Sequence, residues 1–526
     1  MELIVNFGII ASLKDNGSGS MEKKIRTALI SVYSKDHIGE IAKLCSSLGI
    51  RIYSTGGTFD HLKKLGFDVT SVENVTSYPS ILGGRVKTLH PKVFGGILYR
   101  RENPDDLDEI KKYEISPMDL VIVDLYPFEK TVASTSDEDE IIEKIDIGGI
   151  SLIRAAAKNF RDVLVVPSAE LYPRLIDLLR LKQGTTNLED RKYFAAQAFN
   201  VSSHYDTRIF DYFNRGQEIP AFKKSILKSY GLRYGENPHQ RGIFYGDLDE
   251  VLEQLHGKAI SFNNLVDIDA AISLIGEFTE PTVVIIKHTN ACGVASRTNL
   301  MEAWTDALAC DSVSAFGGVI IVNRKISTDT AEEMNKLFFE ILIAEEYDEK
   351  ALEILKSKKN RILLRKKAFP EPPVQFKSVL NGAVEQEKDL KTENESDFHK
   401  VTRKSPDPSE VSDLIFANKV VKHQKSNTIV LVKNKQLVGC GTGQTSRVDA
   451  LKQAILKAKE FRFELEGTVM ASDAFFPFSD SVEIAHNAGI KAVVQPGGSI
   501  KDADSISFCD SHDMSMVFTG IRHFKH

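Results

Sequence analysis

Short apolar runs alternate with stretches of helical periodicity along most of the chain. Ala28-Leu29-Ile30-Ser31-Val32 is a run of the kind a buried strand needs. Ile38, Ile41, Ala42, Cys45 and Leu48 then recur at helical spacing up to Gly49. A strand at residues 50–54, a short helix carrying Leu62 and Leu65 and stopped by Gly66, and a strand about Val69 follow. The order β-α-β-α-β predicts a parallel, doubly wound sheet. Residues 120–124 and 163–166 are near-continuous apolar runs, the pattern of strands buried on both faces. Helices predicted at 137–144, 150–160, 171–182 and 189–213 complete a first domain.

Around residues 214–220 the chain turns loop-like (Asn214, Gly216, Gln217, Glu218, Pro220), which sets a boundary between a domain at 21–218 and a second α/β region at 219–526. Strands are predicted there at 283–287, 319–322, 429–432 and 492–494. Residues 366–410, rich in charge and proline, read as a long connection or partly ordered insertion. A faint repeat runs through the region: Cys292-Gly293 and Cys440-Gly441 each precede a helix, and Asp311…Phe316 and Asp473…Phe478 share one spacing. Duplication of a lobe and chance similarity explain so short a pattern equally well. At the other end, Leu3 to Leu13 is apolar but lacks a basic lead and a small-residue cleavage site, and Asp15 to Ser20 reads as a linker. Residues 1–20 are therefore expected to be an extension or expression remnant ahead of a natural start at Met21.

Composition narrows the class. The 526 residues carry 67 Lys+Arg against 73 Asp+Glu, a formal charge of -6, without the basic footprint of a nucleic-acid binder. No apolar run reaches the length of a membrane span. The five cysteines are dispersed, with no C-x-x-C pair, so neither a disulfide framework nor a structural zinc site is expected; a reducing, cytoplasmic setting fits.

Several motifs gather at predicted strand ends. Ser54-Thr55-Gly56-Gly57-Thr58 joins a strand to a helix start, where glycines admit an anion and hydroxyls and free N–H groups bind it. An ordinary capped glycine turn is the plainer reading, until Gly83-Gly84-Arg85-Val86-Lys87-Thr88-Leu89-His90-Pro91 adds two cations, a hydroxyl and a histidine. Asp124-Leu125-Tyr126-Pro127-Phe128 follows a strand and so lies along the carboxyl edge, where open α/β sheets bind ligands. Asp146-Ile147-Gly148-Gly149 leads into a helix bearing Arg154 and Lys158. In the second region Lys287-His288 ends an apolar strand, ahead of a Thr289-Asn290-Ala291-Cys292-Gly293 turn, and pairs two proton-transfer groups. The loop Ser472-Asp473-Ala474-Phe475-Phe476-Pro477-Phe478 suits a core or a flat heteroaromatic ligand equally.

The ordered set STGGT, GGRVKTLHP, DLYPF, IDIGG, RAAAKN, LRYGENPHQ, KHTNACG, SAFGG, KSNT, GTGQTSR, SDAFFPF and a terminal IRHF covers the chain from Ile25 to His526. It resembles the AICAR transformylase/IMP cyclohydrolase family. The resemblance implies an α/β protein: an N-terminal methylglyoxal-synthase-like parallel-sheet domain, then two duplicated cytidine-deaminase-like lobes. It implies two activities, formyl transfer from 10-formyltetrahydrofolate to AICAR giving FAICAR, and dehydrative closure of FAICAR to IMP. The cosubstrate is the folate. The zinc-ligand motifs of the deaminases are absent from the sequence, so no metal is expected in the chemistry, with a structural monovalent cation left open. A homodimer with transformylase sites built across its interface is implied, with neither nucleic acid nor membrane as partner. A single-activity formyltransferase with a nucleotide-binding N-terminal domain, and a non-catalytic nucleotide sensor, stand as rivals.

Carried over by motif, Tyr33, Ser34, Lys35 and Ser54, Thr55, Gly56, Gly57 would line the IMP or FAICAR nucleotide. Arg85, Val86 and Thr88 would add contacts, with Val123 and Asp124 beside the base and Ile147 opposite. Lys158 resembles the proton-transfer residue, assisted by Lys87, Tyr126 and Asp146. His288 matches the base on the AICAR amine, and Lys287 the group stabilising the transition state. Arg233, Tyr234, Gly317, Glu340, Asn427, Arg447, Phe475 and Arg522 match AICAR-binding positions. Val448, Asp480, Ser499 and Ile500 match folate-binding positions, with Asn264 a neighbour. Asp124 stands where many members have Asn, Ala291 where Pro is common, and Glu340 where some have Asp.

Overall fold

The computed structural model describes residues 22–526, so the expected extension at 1–20 lies outside the described residues. The chain forms two compact units, one ending at Leu227 and the other beginning at Lys228. In the first, β1 (Thr27–Ser31), β2 (Arg51–Ser54), β3 (Val69–Ser71), β4 (Leu120–Val123) and β5 (Leu164–Val166) are all parallel, in the order β3-β2-β1-β4-β5. Both faces are covered, which is why these strands read as unbroken apolar runs rather than alternating ones. Helix α1 (Ile38–Ser47) buries the predicted Ile38, Ile41, Ala42 and Cys45. On the other face α3 (Gly148–Lys158), which follows α2 (Gly56–Lys64) in the chain, buries Leu152, Ile153 and Ala155 to Ala157. The 26-residue α4 (Leu188–Phe213) starts from a capping box made by Asn187 and Asp190. Chain order reverses about β1, so the loops after β1, β2 and β4 open together at one edge of the sheet.

The second unit is a twelve-stranded sheet made of two six-stranded lobes. Lobe one contains β6 (Leu252–His256), β7 (Thr282–Lys287), β8 (Asn290–Ser296), β9 (Val319–Val322), β10 (Ile341–Ala344) and β11 (Ile362–Lys366). Lobe two contains β12 (His399–Lys400), β13 (Ile429–Lys433), β14 (Gln436–Gly441), β15 (Val469–Ser472), β16 (Ala492–Gln495) and β17 (Ser515–Phe518). The order is β6-β11-β10-β9-β7-β8 joined through β8 and β14 to β14-β13-β15-β16-β17-β12. Each lobe repeats the same scheme: a hairpin, an antiparallel neighbour, two parallel crossovers and an antiparallel edge.

The duplication is therefore real, but its register differs from the one the sequence motifs suggest. Ile285 pairs with Gly293 beside a bulge at Cys292 in β8, and Leu431 pairs with Gly439 beside a bulge at Val438 in β14. Gly293 is thus equivalent to Gly439, not Gly441. Asp311 precedes β9 whereas Asp473 follows the equivalent β15, so their shared spacing to Phe is coincidental. Glycine is demanded at both positions by close helix packing. A methyl group at Gly293 would lie 2.2 Å from the Ala307 carbonyl oxygen in α6 (Leu300–Cys310), and one at Gly439 2.4 Å from that of Ala454 in α8 (Arg447–Glu460). Helices α5 (Phe262–Ile275) and α7 (Pro408–Lys422) are likewise equivalent, each opened by a capping box.

The stretch at 366–410 is ordered in part. Lys366 ends β11, Val374–Val379 and Gly382–Glu387 form an antiparallel hairpin, and Pro408 already opens α7. Its later part is tied to the C-terminus by buried charge. His523 Nδ1 lies 2.6 Å from Asp389 and its Nε2 3.0 Å from Glu393, which also accepts Asn418 Nδ2 at 2.8 Å. Burial would lower the pKa of His523, but these carboxylates outweigh it and raise the group to about 9.

Two expected outcomes follow from this packing. Gly293→Ala and Gly439→Ala each destabilise the second unit by about 1–3 kcal/mol through forced displacement of a helix. Gly382→Ala, where an added methyl meets nothing within 4 Å, stays within about 0.5 kcal/mol, as urea midpoints will report. The raised His523 pKa contributes stability that is complete below the unfolded value near 6.5 and is lost as pH rises through about 9. A shift of that size is worth at most about 3 kcal/mol. The unfolding midpoint should fall between pH 7 and 9.5, and that slope should be absent in His523→Asn.

Candidate active sites

In the N-terminal unit the loops at the carboxyl edge carry most of the motif residues. Ser54 ends β2 and donates its hydroxyl to Ile30 O at 2.7 Å, pinning the turn to β1. Next to it Thr55 is 3% exposed, and its buried hydroxyl oxygen has no hydrogen-bond partner among the described residues. An orphaned hydroxyl at the start of α2, where free N–H groups point outward, asks for a ligand oxygen. Gly56 takes φ +51, a conformation that favours glycine, and Lys87 Nζ lies beside it, 3.5 Å from where a Cβ would stand. Lys35 Nζ reaches Thr58 Oγ1 at 3.1 Å and the carbonyls of Val32 and Tyr33. Burial lowers its pKa and Lys87 adds to the effect, with Asp124 opposing. Two ammonium groups, a buried hydroxyl and a helix start together make a cationic cradle whose donors suit an anion.

Facing the cradle are the acids and aromatics. Asp124 directs one carboxylate oxygen to the Tyr33 N–H and the other to the Ser34 N–H, the latter at 2.9 Å. With both oxygens so occupied, it shapes the Tyr33–Lys35 loop. Its pKa is raised by burial against those two N–H groups and Lys35. Asp146 accepts the Gly149 N–H at 2.6 Å at the start of α3, and burial raises its pKa against that bond and the charge of Lys87. The Asp146 N–H donates to the Tyr205 hydroxyl at 2.9 Å, which itself donates to Lys144 O. Tyr126 packs edge-on against Tyr33 with ring centroids 5.8 Å apart, and burial and then Asp146 raise its pKa. Thr88 is buried, with Gly148 close against its hydroxyl, while Arg85 pairs with Glu143. Val86 bridges to Ile81, Val123 ends β4, and Ile147 is exposed ahead of α3.

Lobe one holds the Lys287-His288 pair. The turn is shorter than the sequence suggests: only His288 (φ 50) and Thr289 (φ 64) form it, and Asn290 already begins β8. Two consecutive positive φ values make this a type I′ hairpin turn, the kind that matches strand twist. Lys287 Nζ donates to Phe316 O at 2.7 Å, and Gly317, free of a side chain, passes 3.3 Å from that ammonium at its would-be Cβ. Glu340 ends the same edge, joined by Lys258 Nζ and Asn264 Nδ2, each at 3.2 Å. The Arg233-Tyr234 pair, stacked with the guanidinium 4.5 Å from the ring, sits on a loop that Asn263 ties to α5 through Glu236 O at 3.1 Å. A cavity of about 300 Å³ runs from Lys287 and His288 to Thr442 and Lys457.

Lobe two assembles the remaining positions. Arg447, 7% exposed, donates Nε to Phe475 O at 3.0 Å and Nη1 to Asn427 Oδ1 at 3.0 Å and Asp473 Oδ1 at 3.1 Å. The other oxygen of Asp473 is buried without a hydrogen-bond partner among the described residues. Phe524 lies between two cations, 4.4 Å from Arg522 and 5.9 Å from Arg447. The aromatic loop divides by burial: Phe476 is core at 0% exposure, whereas Phe475 and Phe478 are 38% and 60% exposed. Val448 stands in the first turn of α8, Asp480 opens the helix after β15, and Ser499 and Ile500 lie after β16, Ile500 fully exposed.

Sequence reasoning passed over Lys258, Asp267 and Tyr205, which stand in no glycine or aromatic motif and are placed by tertiary structure alone, and gave Asp473 of the aromatic loop no role. Lys158 is the one predicted proton-transfer residue of the first unit that the structure sets apart. It is exposed at the C-terminal end of α3, roughly 15 Å along the helix from Asp146. Burial pushes the Cys45, Cys292 and Cys310 thiols up to about 12, which leaves them un-ionised and poor nucleophiles near neutral pH.

The chain matches the family described as AICARFT/IMPCHase bienzyme over residues 156–457, and the MGS-like domain over residues 37–151. It is 59% identical over 507 residues to the bifunctional purine biosynthesis protein PurH of Bacteroides thetaiotaomicron, covering 96% of this chain and 100% of that protein. Proteins of the same name from Caldicellulosiruptor saccharolyticus and Aquifex aeolicus are 46% identical over 516 and 509 residues, in both cases covering 95% of this chain and 100% of the relative. The chain belongs to the AICARFT/IMPCHase bienzyme family.

Proposed function

We propose that the family's two reactions run on the two sets of residues described above, cyclisation in the first unit and formyl transfer in the second. As a member of this family the protein is both an AICAR formyltransferase and an IMP cyclohydrolase of purine biosynthesis. The observation that carries the assignment of residues is the division of chemistry between the lobes. Lobe one presents proton-transfer groups, Lys287, His288 and Glu340; lobe two presents an anion and ring site, Arg447, Asn427, Phe475 and Arg522.

In formyl transfer the AICAR amine attacks the formyl carbon of 10-formyltetrahydrofolate while His288 takes the amine proton. Lys287 Nζ neutralises charge on the formyl oxygen, then the bond to N10 breaks and tetrahydrofolate leaves with a proton. Gly317 and Glu340, with Arg233 and Tyr234, hold the nucleotide on the lobe-one side; Arg447 and Arg522 hold it through charge, and Phe475 offers its face to a ring. Val448, Asp480, Ser499 and Ile500 line the folate side. In cyclisation the cradle of Lys35, Ser54, Thr55, Gly56 and Gly57 takes the phosphate, with Tyr33, Ser34, Arg85, Val86 and Thr88 around it and Val123, Asp124 and Ile147 beside the base. The carboxamide nitrogen attacks the formyl carbon, Asp146 receives its proton, and Lys87 and Tyr126 stabilise the oxygen that departs as water. Holding both groups in one pocket supplies the proximity that the ring closure needs. A homodimer with formyl-transfer sites built across its interface completes the reading, one copy's lobe-one half meeting the other's lobe-two half. A cytoplasmic setting accompanies it, and no described helix is long and apolar enough to cross a membrane.

His288→Ala should lower formyl transfer by about 10²–10⁴-fold and leave cyclisation of supplied FAICAR intact. Mixing it with inactive Arg447→Ala protein should restore activity if the halves come from different copies. Asp146→Asn and Lys87→Ala should each slow cyclisation by about 10²-fold or more with formyl transfer unchanged. Lys158→Ala separates resemblance from the geometry of one chain. A comparable loss assigns it the proton transfer; a wild-type rate leaves that to Asp146, Lys87 and Tyr126. Chromatographic separation of AICAR, FAICAR and IMP after quenching reads all five variants.

A further inference from the structure

We propose that Asp267 is a positioning residue for formyl transfer, fixing the His288-Thr289 turn through the Thr289 N–H. The inference rests on the reading of His288 as the base. Asp267 is the sixth residue of α5, and its Oδ1 accepts the Thr289 N–H at 2.7 Å. It is half-buried, and its second oxygen accepts no hydrogen bond among the described residues. Burial raises its pKa, opposed by the Thr289 N–H and by the charges of His288 and Lys287, so the carboxyl lies within electrostatic reach of both.

The turn needs such a cap. His288 and Thr289 both occupy the left-handed region, where side chains with a Cβ are disfavoured and a β-branched one most of all. Without a fixed acceptor the turn has alternatives in which the His288 side chain leaves the edge it shares with Lys287. Two further bonds, Thr289 Oγ1 at 2.6 Å and Asn290 Nδ2 at 2.9 Å to His288 O, are internal to the loop; Asn290 Oδ1 accepts the Lys425 N–H at 3.0 Å, which fixes the start of β8 and leaves Asp267 as the side chain that holds Thr289 from the body of the lobe.

The duplicated lobe supplies an internal comparison. Asp413 is the sixth residue of the equivalent helix α7, and it accepts the N–H groups of Asn434 and Lys435, both at 2.7 Å. Those two residues form the equivalent turn, each at φ 52. A carboxylate-capped turn is therefore part of the architecture of either lobe, but only in lobe one does it carry a histidine. In lobe two both oxygens are spent on the backbone; in lobe one a single oxygen holds the turn, and the carboxylate lies within electrostatic reach of His288 and Lys287. Removing either cap should cost the fold a similar amount, while only one removal should touch the chemistry.

The experiment compares Asp267→Ala, Asp267→Asn and Asp413→Ala in the full chain, with AICAR and 10-formyltetrahydrofolate as substrates and unfolding midpoints measured in parallel. Expected is a fall in kcat of about tenfold or more for Asp267→Ala with KM for AICAR within about threefold. Asp267→Asn, whose amide oxygen still accepts the Thr289 N–H, should return to within about threefold of the wild-type kcat. Asp413→Ala should lose as much stability as Asp267→Ala and keep its kcat. A kcat for Asp267→Ala within twofold of wild type, or an equal fall in Asp413→Ala, overturns the proposal. If Asp267→Ala does not fold, adding Thr289→Gly, which removes the strain, allows the same comparison. His288→Ala is run alongside. Retained formyl transfer there defeats the reading of His288 itself, whereas its loss with an unaffected Asp267→Ala defeats only the positioning role.

Discussion

Placing a histidine and a threonine consecutively in the left-handed region costs on the order of 1–2 kcal/mol per residue, and the arrangement of the second unit follows from meeting that cost. The turn lies at the end of β7, a strand bonded on both sides and buried along nearly its whole length, so it cannot relax by sliding. The bulge at Cys292 increases local twist just where the two-residue turn requires it. Gly293 lets α6 press directly onto β8, fixing the far side of the hairpin. Lys287 and His288 are consequently held on rigid backbone, the condition under which a proton acceptor and a cation keep their separation through a reaction.

The first unit solves a different problem, the gathering of like charges. Lys87 lies against Gly56 and Lys35 against Thr58 of the same helix, close enough to feel each other's charge, and burial already disfavours the charge on Lys35. Asp124 and Asp146 stand opposite, each with its pKa raised by burial and held down in part by a lysine or a backbone N–H. Cations and anions thus offset one another across a space bordered by an unpartnered Thr55 hydroxyl. A phosphorylated ligand would add charge on the lysine side and so relieve repulsion there, while a carboxyl such as Asp146, displaced toward neutrality, is better matched to taking up a proton. Asp124 fits this balance, because both its oxygens are consumed by the Tyr33 and Ser34 N–H groups. A carboxylate gives each N–H its own charged oxygen, where an amide would have to share one neutral oxygen between them.

What could be read from the sequence was what depends on local pattern. The five parallel strands of the first unit lie within a residue or two of their apolar runs, because strands buried on both faces advertise themselves. Glycine and aromatic motifs marked the phosphate turn, the Lys287-His288 strand end and the aromatic loop. The duplication was visible but mis-registered, since Cys-Gly pairs and Asp-to-Phe spacings are too short to fix an alignment that strand pairing and the Ala307 and Ala454 contacts settle. Strands such as β10, β11 and β15 went unread: four or five apolar residues between helices look the same whether they form strand or buried helix. Asp267 and Lys258 were invisible for another reason, as single polar residues whose importance comes only from what packs opposite them.

The three phenylalanines of the Ser472–Phe478 loop show how a pattern that sequence leaves even is decided by tertiary structure. Phe476 is drawn into the core beneath α8 and its N–H is taken by Gln495 at 3.2 Å, which turns the loop so that its neighbours cannot also enter. Phe475 is left half-exposed, with its carbonyl bound to Arg447. Burying one ring therefore places the next, and the same guanidinium that fixes it also engages Asp473 and Asn427. A buried ion pair of this kind contributes little net stability against its desolvation. Its retention, with one Asp473 oxygen still unpartnered, makes better sense as preparation for a ligand that completes the network than as reinforcement of the fold.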